Sequence, residues 1–334
     1  MKRLLFGFVA LAAMASCVKE QTVVTPEQKV ISFSNFIQNR AAIDPSFNND
    51  NNKVTEFSVW GFMTSPTGVV FNNEHVWYDA TEAAWKYNNL AYWAPNKSYK
   101  FAALAPVGND KIGVTLANGN YMSAEGVLGT VSFENVDGTV DVLYAEDSVD
   151  TPNTIPDEPE KVELTFQHLL SKVKFTFTNG LSNEHSSMTV SNVKMVVPAK
   201  GTVDLAVKPY VWNVSENNTI TLDFGKAIDA VDADDQLAIA GVGEVEYERL
   251  TIPLATTTSV ISSYTVTFDV TLYNGTEEAQ VVPMTSVITG TTLEAGKSYN
   301  FTATLTADKL GLKEIEFNVV VENWIEAGNI GFLN

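Results

Sequence analysis

One cysteine, three histidines and three arginines are all that this 334-residue chain holds of the side chains that most often build disulfides, metal centres and nucleic-acid contacts. A single thiol, Cys17, cannot form an internal disulfide. His75, His168 and His185 stand far apart without a cysteine nearby, and no His-Glu-x-x-His pair occurs, so the sequence offers no zinc ligand set. There is no Gly-x-Ser-x-Gly turn for a serine nucleophile, and the glycine-bearing stretches 117–119 and 241–243 do not precede helical patterns that would cradle a phosphate. Asp232, Asp234 and Asp235 cluster, but without the loop glycine and distal glutamate of an EF-hand. No metal, cofactor or enzymatic activity is therefore expected. Basic residues number 21 against 40 acidic ones, a net charge of −19. Contacts to phosphate need Lys or Arg, so nucleic acid and anionic lipid surfaces are poor partners. Long apolar runs are missing as well. The longest, residues 4–14, is shorter than the roughly 20 residues that span a bilayer.

What is present begins with an address. Lys2 and Arg3 precede that run, and Ala15, Ser16 and Cys17 follow it, the order of a secretory signal. Met14-Ala15-Ser16-Cys17 resembles the lipobox of bacterial lipoproteins, in which the thiol is acylated and opens the mature chain; the other reading is an ordinary cleavage site with an incidental cysteine. Val18-Lys19-Glu20 resembles the charged signal that sends lipoproteins to the outer face of the outer membrane, and residues 18–29, with Pro26, read as a tether. Loss of Lys2 and Arg3 with the signal takes the charge to −21.

Residues 30–42 organise the rest. Ile31, Phe33 and Ile37 fall on one face of an extended segment and Ser32 and Ser34 on the other, the two-residue period of a half-buried strand. Arg40 follows, beside Ala41 and Ala42 and before a polar loop rich in asparagine. Arg40 reads either as a protease site whose cutting frees the strand or as a residue that ends an edge strand. Further strands are expected at 54–63, 69–71, 76–78, 85–87, 98–106, 131–133 and 140–145. Residues 146–161 shift to Asp, Glu, Pro, Ser and Thr, a linker composition that marks a domain boundary. Beyond it lie strands at 162–166, 172–178 with Val173, Phe175 and Phe177 on one face, 188–197, 201–207, 219–224, 236–240, 248–254, 263–273 and 315–321. No sustained helical period appears, single cores stop growing near ~250–300 residues, and this strand spacing is that of β-sandwiches; the chain is expected to be all-β, with two sandwich domains in tandem. Trp60, Trp77, Trp85 and Trp93 read as core, with stacking on a glycan as the alternative. His168 reads as a core histidine rather than a general base.

Several separated motifs agree with one family. Cys17, the Ile31-Ser-Phe-Ser strand followed by Arg40-Ala41, Trp85-Lys-Tyr with Tyr92-Trp93-Ala-Pro, Val140-Asp-Val-Leu-Tyr-Ala, Leu164-Thr-Phe-Gln-His-Leu-Leu-Ser-Lys, Leu293-Glu-Ala-Gly-Lys-Ser-Tyr and Ile315-Glu-Phe-Asn-Val-Val-Val-Glu-Asn-Trp together resemble the fimbrillins of Bacteroidales, over nearly the whole chain. The resemblance implies two sandwiches of transthyretin-like topology in a pilus subunit that supports adhesion. It would be exported as an outer-membrane lipoprotein acylated at Cys17, palmitate included, and assembled with other fimbrial subunits as a homopolymer or a hetero-assembly. By the same resemblance an Arg-specific or trypsin-like protease cuts between Arg40 and Ala41. The strand bearing Ile31, Phe33 and Ile37 then leaves and a neighbour's strand replaces it. The expected division is 1–16 signal, 17–40 lipidated propeptide, 41–160 first sandwich and 161–334 second sandwich. The best donor is the C-terminal segment with Ile315, Phe317, Val319 and Val321; if 315–324 is instead an integral last strand, a tip, cap or anchor role follows.

Overall fold

The computed structural model describes residues 28–37, 47–48, 53–64, 66–181, 186–214, 218–225, 236–238, 248–254, 263–274, 277–306, 310 and 315–323. Cys17, Arg40, Ala41 and the 232–235 acidic cluster lie outside these residues. Among the described residues the chain is β throughout. A seven-stranded sheet runs in the order β1 (Phe33–Ile37), β11 (Val162–His168), β10 (Leu143–Asp150), β7 (Ser98–Ala105), β4 (Glu56–Thr64), β5 (Thr67–Asp79) and β6 (Ala84–Lys86). A four-stranded sheet is ordered β15 (Trp212–Val214), β14 (Lys200–Asp204), β9 (Gly129–Glu134) and β8 (Ile112–Leu116). A second four-stranded sheet is ordered β16 (Thr219–Asp223), β13 (Ser186–Pro198), β19 (Ser263–Asn274) and β20 (Glu277–Thr289). It faces a five-stranded one, β17 (Gln236–Ala238), β12 (Ser171–Asn179), β21 (Lys297–Leu305) and β22 (Asn318–Asn323), in which β18 (Arg249–Thr251) also pairs with β12. A short ribbon joins β2 (Phe47–Asn48) and β3 (Lys53–Val54).

The two-residue period builds these layers. In β12, Val173, Phe175 and Phe177 are buried while Lys174 and Thr176 between them are half-exposed, as the alternation predicts. With Phe301 of β21 and Met195, Val266 and Phe268 of the facing sheet they form one core. A second core lies between the four-stranded β8–β15 sheet and one face of the seven-stranded sheet, where Trp60, Leu104 and Tyr144 meet Val131, Phe133, Val203 and Trp212. The opposite face of the seven-stranded sheet curls around a third core that includes Ile31, Phe33, Phe57, Phe71, Phe101, Leu164 and Phe166.

Pairing is less sequential than the sequence implies. The strand after the 151–161 connection, β11, lies on the same sheet as β10 before it, and β14 from the second half pairs with β9 from the first, Gly201 opposite Phe133. Leu169 and Leu170, both fully buried, carry the chain from β11 into β12. The Trp212 Nε1–H donates to the Leu169 carbonyl over 2.6 Å, and the Gly296 amide donates to the Leu170 carbonyl over 2.8 Å. His168 sits beside this link with Nδ1 2.6 Å from Asp141 Oδ2, both side chains fully buried. A histidine so placed braces the core and is out of reach of a substrate.

One predicted break is absent. Asn72-Asn73 does not divide two short strands; β5 runs through it as a bulge, the four residues from Phe71 to Glu74 opposing the three from Gly61 to Val59, with Asn73 at φ +59°.

Candidate functional site

The segment 29–37 closes the seven-stranded sheet on itself. β1 pairs in parallel with β11, Phe33 opposite Val162 through Ile37 opposite Phe166, and so occupies one edge. Just before it, the Ile31 amide donates to the Ala91 carbonyl and the Trp93 amide to the Lys29 carbonyl, each at 2.9 Å. Residues 91–93 follow β6, the strand at the other edge. The N-terminal segment thus bonds to both margins of the sheet and seals the core beneath. No other part of the seven-stranded sheet depends on the chain passing through residues 38–40, so a cut beyond β1 would leave every other strand covalently in place.

Its side chains fill that core. Ile31 is fully buried and Phe33 is 2% exposed. The Phe33 ring stands edge-on to Phe57 at 5.6 Å and to Tyr87 at 5.7 Å, and tilted against Phe71 at 5.8 Å. The Tyr87 hydroxyl donates to the Ile31 carbonyl over 2.7 Å, and the Val162 amide donates to the Ser32 carbonyl over 2.8 Å. Burial pushes the Tyr87 phenol up to about 12, so it remains a donor across neutral pH. At the surface Lys29 reaches Asp157 of the 151–161 connection at 3.5 Å. Asp157 is fully solvated, and such a pair contributes little.

The predicted strand residues Ile31 and Phe33 are thereby brought together. Ile37 lies on β1 opposite Phe166, its side chain outside the described ones. The pattern of Trp85-Lys86-Tyr87 marked a strand face, but nothing local announced that Tyr87 would grip a carbonyl 56 residues upstream. The four tryptophans do not form one platform. Trp60 and Trp93 are 4% and 6% exposed and belong to two different cores, and Trp85 packs on Phe57 and Tyr78.

The C-terminal residues are distributed along a second edge. Ile315 is buried, and Phe317 packs against Phe175, Phe177 and Phe268. β22 pairs antiparallel with β21, Phe301 opposite Val319 and Tyr299 opposite Val321, at the margin of the five-stranded sheet. Val319, Val320 and Val321 are 36%, 49% and 51% exposed.

A family model described as fimbrillin-like matches residues 40–324. No curated protein sequence matches the chain. Among solved structures, a fimbrial protein from Bacteroides vulgatus is similar with a TM-score of 0.59 and 16% identity, covering 89% of this chain and 99% of that one. A candidate cell adhesion protein from Bacteroides ovatus is similar with a TM-score of 0.51 and 13% identity, covering 90% and 99%. At such identities the two structures speak for the fold alone.

Proposed function

The chain belongs to the fimbrillin-like family, and from that premise we propose that it is a structural subunit of a cell-surface fimbria, exported as a lipoprotein acylated at Cys17, cut after Arg40 and assembled by strand exchange. The observation that carries this reading is the burial of Ile31 and Phe33 on a segment at the sheet edge, where among the described residues no strand pairs with the outer side of β1. Burying each such side chain is worth about 1.5–3 kcal/mol. Taking the segment away would also leave the Val162 and Trp93 amides without partners, and a buried donor so left costs about 1–3 kcal/mol. A subunit cut after Arg40 is then held together only until the segment departs, and it regains the lost contacts when another chain's strand lies in the same slot.

The donor in this proposal is the C-terminal segment. Ile315 and Phe317 anchor it in the core between the β12 and β13 sheets, and Val319 and Val321 lie on the strand that leads out of it. Beyond, Ile330-Gly331-Phe332 repeats the spacing and side chains of Ile31-Ser32-Phe33. In this reading residues 1–16 are the signal and 17–40 the lipidated propeptide, and the sandwich units drawn from composition at 41–160 and 161–334 interlock, β11, β14 and β15 of the second range pairing into the sheets of the first. The partners are further fimbrial subunits, an Arg-specific or trypsin-like protease, and the outer membrane through the lipid.

A second reading, an end subunit at tip or anchor, is favoured by the pairing of β22 with β21, which already engages Val319 and Val321 within their own chain. The test of the first is Arg40→Ala. The variant should stay a lipid-linked monomer that retains residues 17–40, while the parent yields polymer beginning at Ala41. Polymer undiminished in the variant would discard the mechanism.

A further inference from the structure

Beside the second core, where the face of the seven-stranded sheet that carries Trp60 and Leu104 meets β8, lies a cleft of about 520 Å³, within the ~300–1,000 Å³ range of small-ligand sites. We propose that this cleft binds a neutral carbohydrate, independently of any strand exchange. The bulge in β5 is the first ground. In a regular strand consecutive side chains point to opposite faces, but here Asn72 and Asn73 both line the cleft because the extra residue turns the second amide onto the first one's side. Asn73 holds the left-handed conformation that this requires. The Asn72 Nδ2 donates to the Asn120 carbonyl at 3.2 Å, which leaves its own carbonyl oxygen as an acceptor at the mouth.

The second ground is the mixture of groups around the bulge. His75, also on the wall, has Nε2 2.9 Å from Glu56 Oε2, so Nδ1 is the ring nitrogen left to a ligand. Ser58 lies opposite it in the ladder, and Asn109, whose Oδ1 accepts from the Lys111 amide, keeps its NH₂. Half-buried Ile112, Val114 and Leu116 of β8 supply an apolar wall. Donors and acceptors in near-equal number beside an aliphatic face suit a sugar ring, with hydroxyls around its rim and C–H groups on its faces. Among the described residues no lysine or arginine lines the cleft, Glu56 borders it and the chain carries −19, which disfavours phosphate, sulfate and sialylated ligands.

The test is binding of the full chain to an array of neutral oligosaccharides of hexoses and N-acetylhexosamines, with sialylated and sulfated counterparts and an unrelated peptide set as controls, followed by titration calorimetry on the best neutral ligand. Asn73→Gly removes the amide while suiting the backbone, and His75→Gln keeps a partner for Glu56. Each should weaken the neutral ligand at least tenfold with an unchanged melting temperature. No neutral glycan bound, binding confined to acidic glycans or peptides, or affinity unchanged in both variants would overturn the proposal. Polymer formation is not expected to move in either variant, so this test and that of Arg40 fail separately.

Discussion

The Tyr87 hydroxyl donates to the Ile31 carbonyl over 2.7 Å, and so ties the segment that closes the first sheet to the residues following its far edge. Removing this one oxygen with Tyr87→Phe leaves the ring contacts to Phe33 and Phe71 intact. The Ile31 carbonyl then loses its donor in a buried position, a cost of about 1–3 kcal/mol. Urea denaturation at neutral pH, compared between parent and variant, measures it.

The same phenol makes stability depend on alkali. Burial raises its pKa to about 12 in the folded chain, against roughly 10 when exposed in the unfolded one. Neutral phenol is thus favoured by the fold. Its contribution is fully present below roughly pH 10 and is lost as the pH rises through about 12, because only the unfolded chain ionises freely in that window. Tyr299, raised to about 12 by burial in the core with Phe175 and Phe301, acts in the same window, so the informative quantity is the difference between two curves. Tyr87→Phe should flatten the alkaline limb while lowering the plateau. An alkaline limb identical in both proteins would mean that Tyr87 is not desolvated as the packing implies.

Phe33 gives a larger effect. It is 2% exposed and surrounded by three aromatic rings, and truncating a buried phenylalanine to alanine typically costs about 3–5 kcal/mol. Phe33→Ala should lower the denaturation midpoint of the full-length chain accordingly. A chain beginning at Ala41 already lacks the ring, and a synthetic peptide of residues 29–37 should restore its stability where the same peptide with alanine at 33 does not. Equal rescue by both peptides would show that the slot does not read side chains.

Some of this was written locally and some was not. Alternation at Ile31-Ser32-Phe33 and at Val173-Phe175-Phe177 announces half-buried strands, because in an extended chain every second side chain shares a face. The all-β architecture followed from repeating that signal without a helical period. Which strands pair is another matter. The proline-rich stretch after β10 carries a linker's composition, yet β11 beyond it sits on the same seven-stranded sheet, and β9 meets β14 across about seventy residues, Glu134 opposite Lys200. Such partners are chosen by complementary apolar faces, and period-two segments look alike in a sequence. Asn72-Asn73 has the composition of a turn, and only the ladder on either side reveals the pair as a bulge. Tyr87 was legible as part of a strand but not as a clasp.

The junction between β11 and β12 makes a prediction independent of assembly. Trp212 is 1% exposed and its Nε1–H is bonded to the Leu169 carbonyl at 2.6 Å. Trp212→Phe would keep much of the apolar contact with Phe133 but leave that carbonyl short of its donor, at a cost of about 1–3 kcal/mol. Differential scanning calorimetry should register a lower melting temperature. No shift would mean that the indole N–H contributes nothing at this junction.

The two ends of the chain provide the sharpest test of assembly. Ile31 and Phe33 fill the slot, two residues apart, and Ile330 and Phe332 repeat that pair near the C-terminus. Val319 and Val321 share the spacing but belong to β22, which is already paired with β21. Replacing the valines by lysine touches exposed positions, so the monomer should change by no more than about 0.5 kcal/mol. If the tail is the donor, that variant still polymerises, whereas Ile330→Ala with Phe332→Ala does not, because the tail then offers only methyl groups to a pocket that held an isoleucine and a phenylalanine. Electron microscopy of processed protein, together with the size distribution on a column, separates the outcomes. Loss of polymer in the valine variant alone would move the donor into β22. Polymer unaffected by either change, with this chain found only at filament ends, would identify it as a terminal subunit.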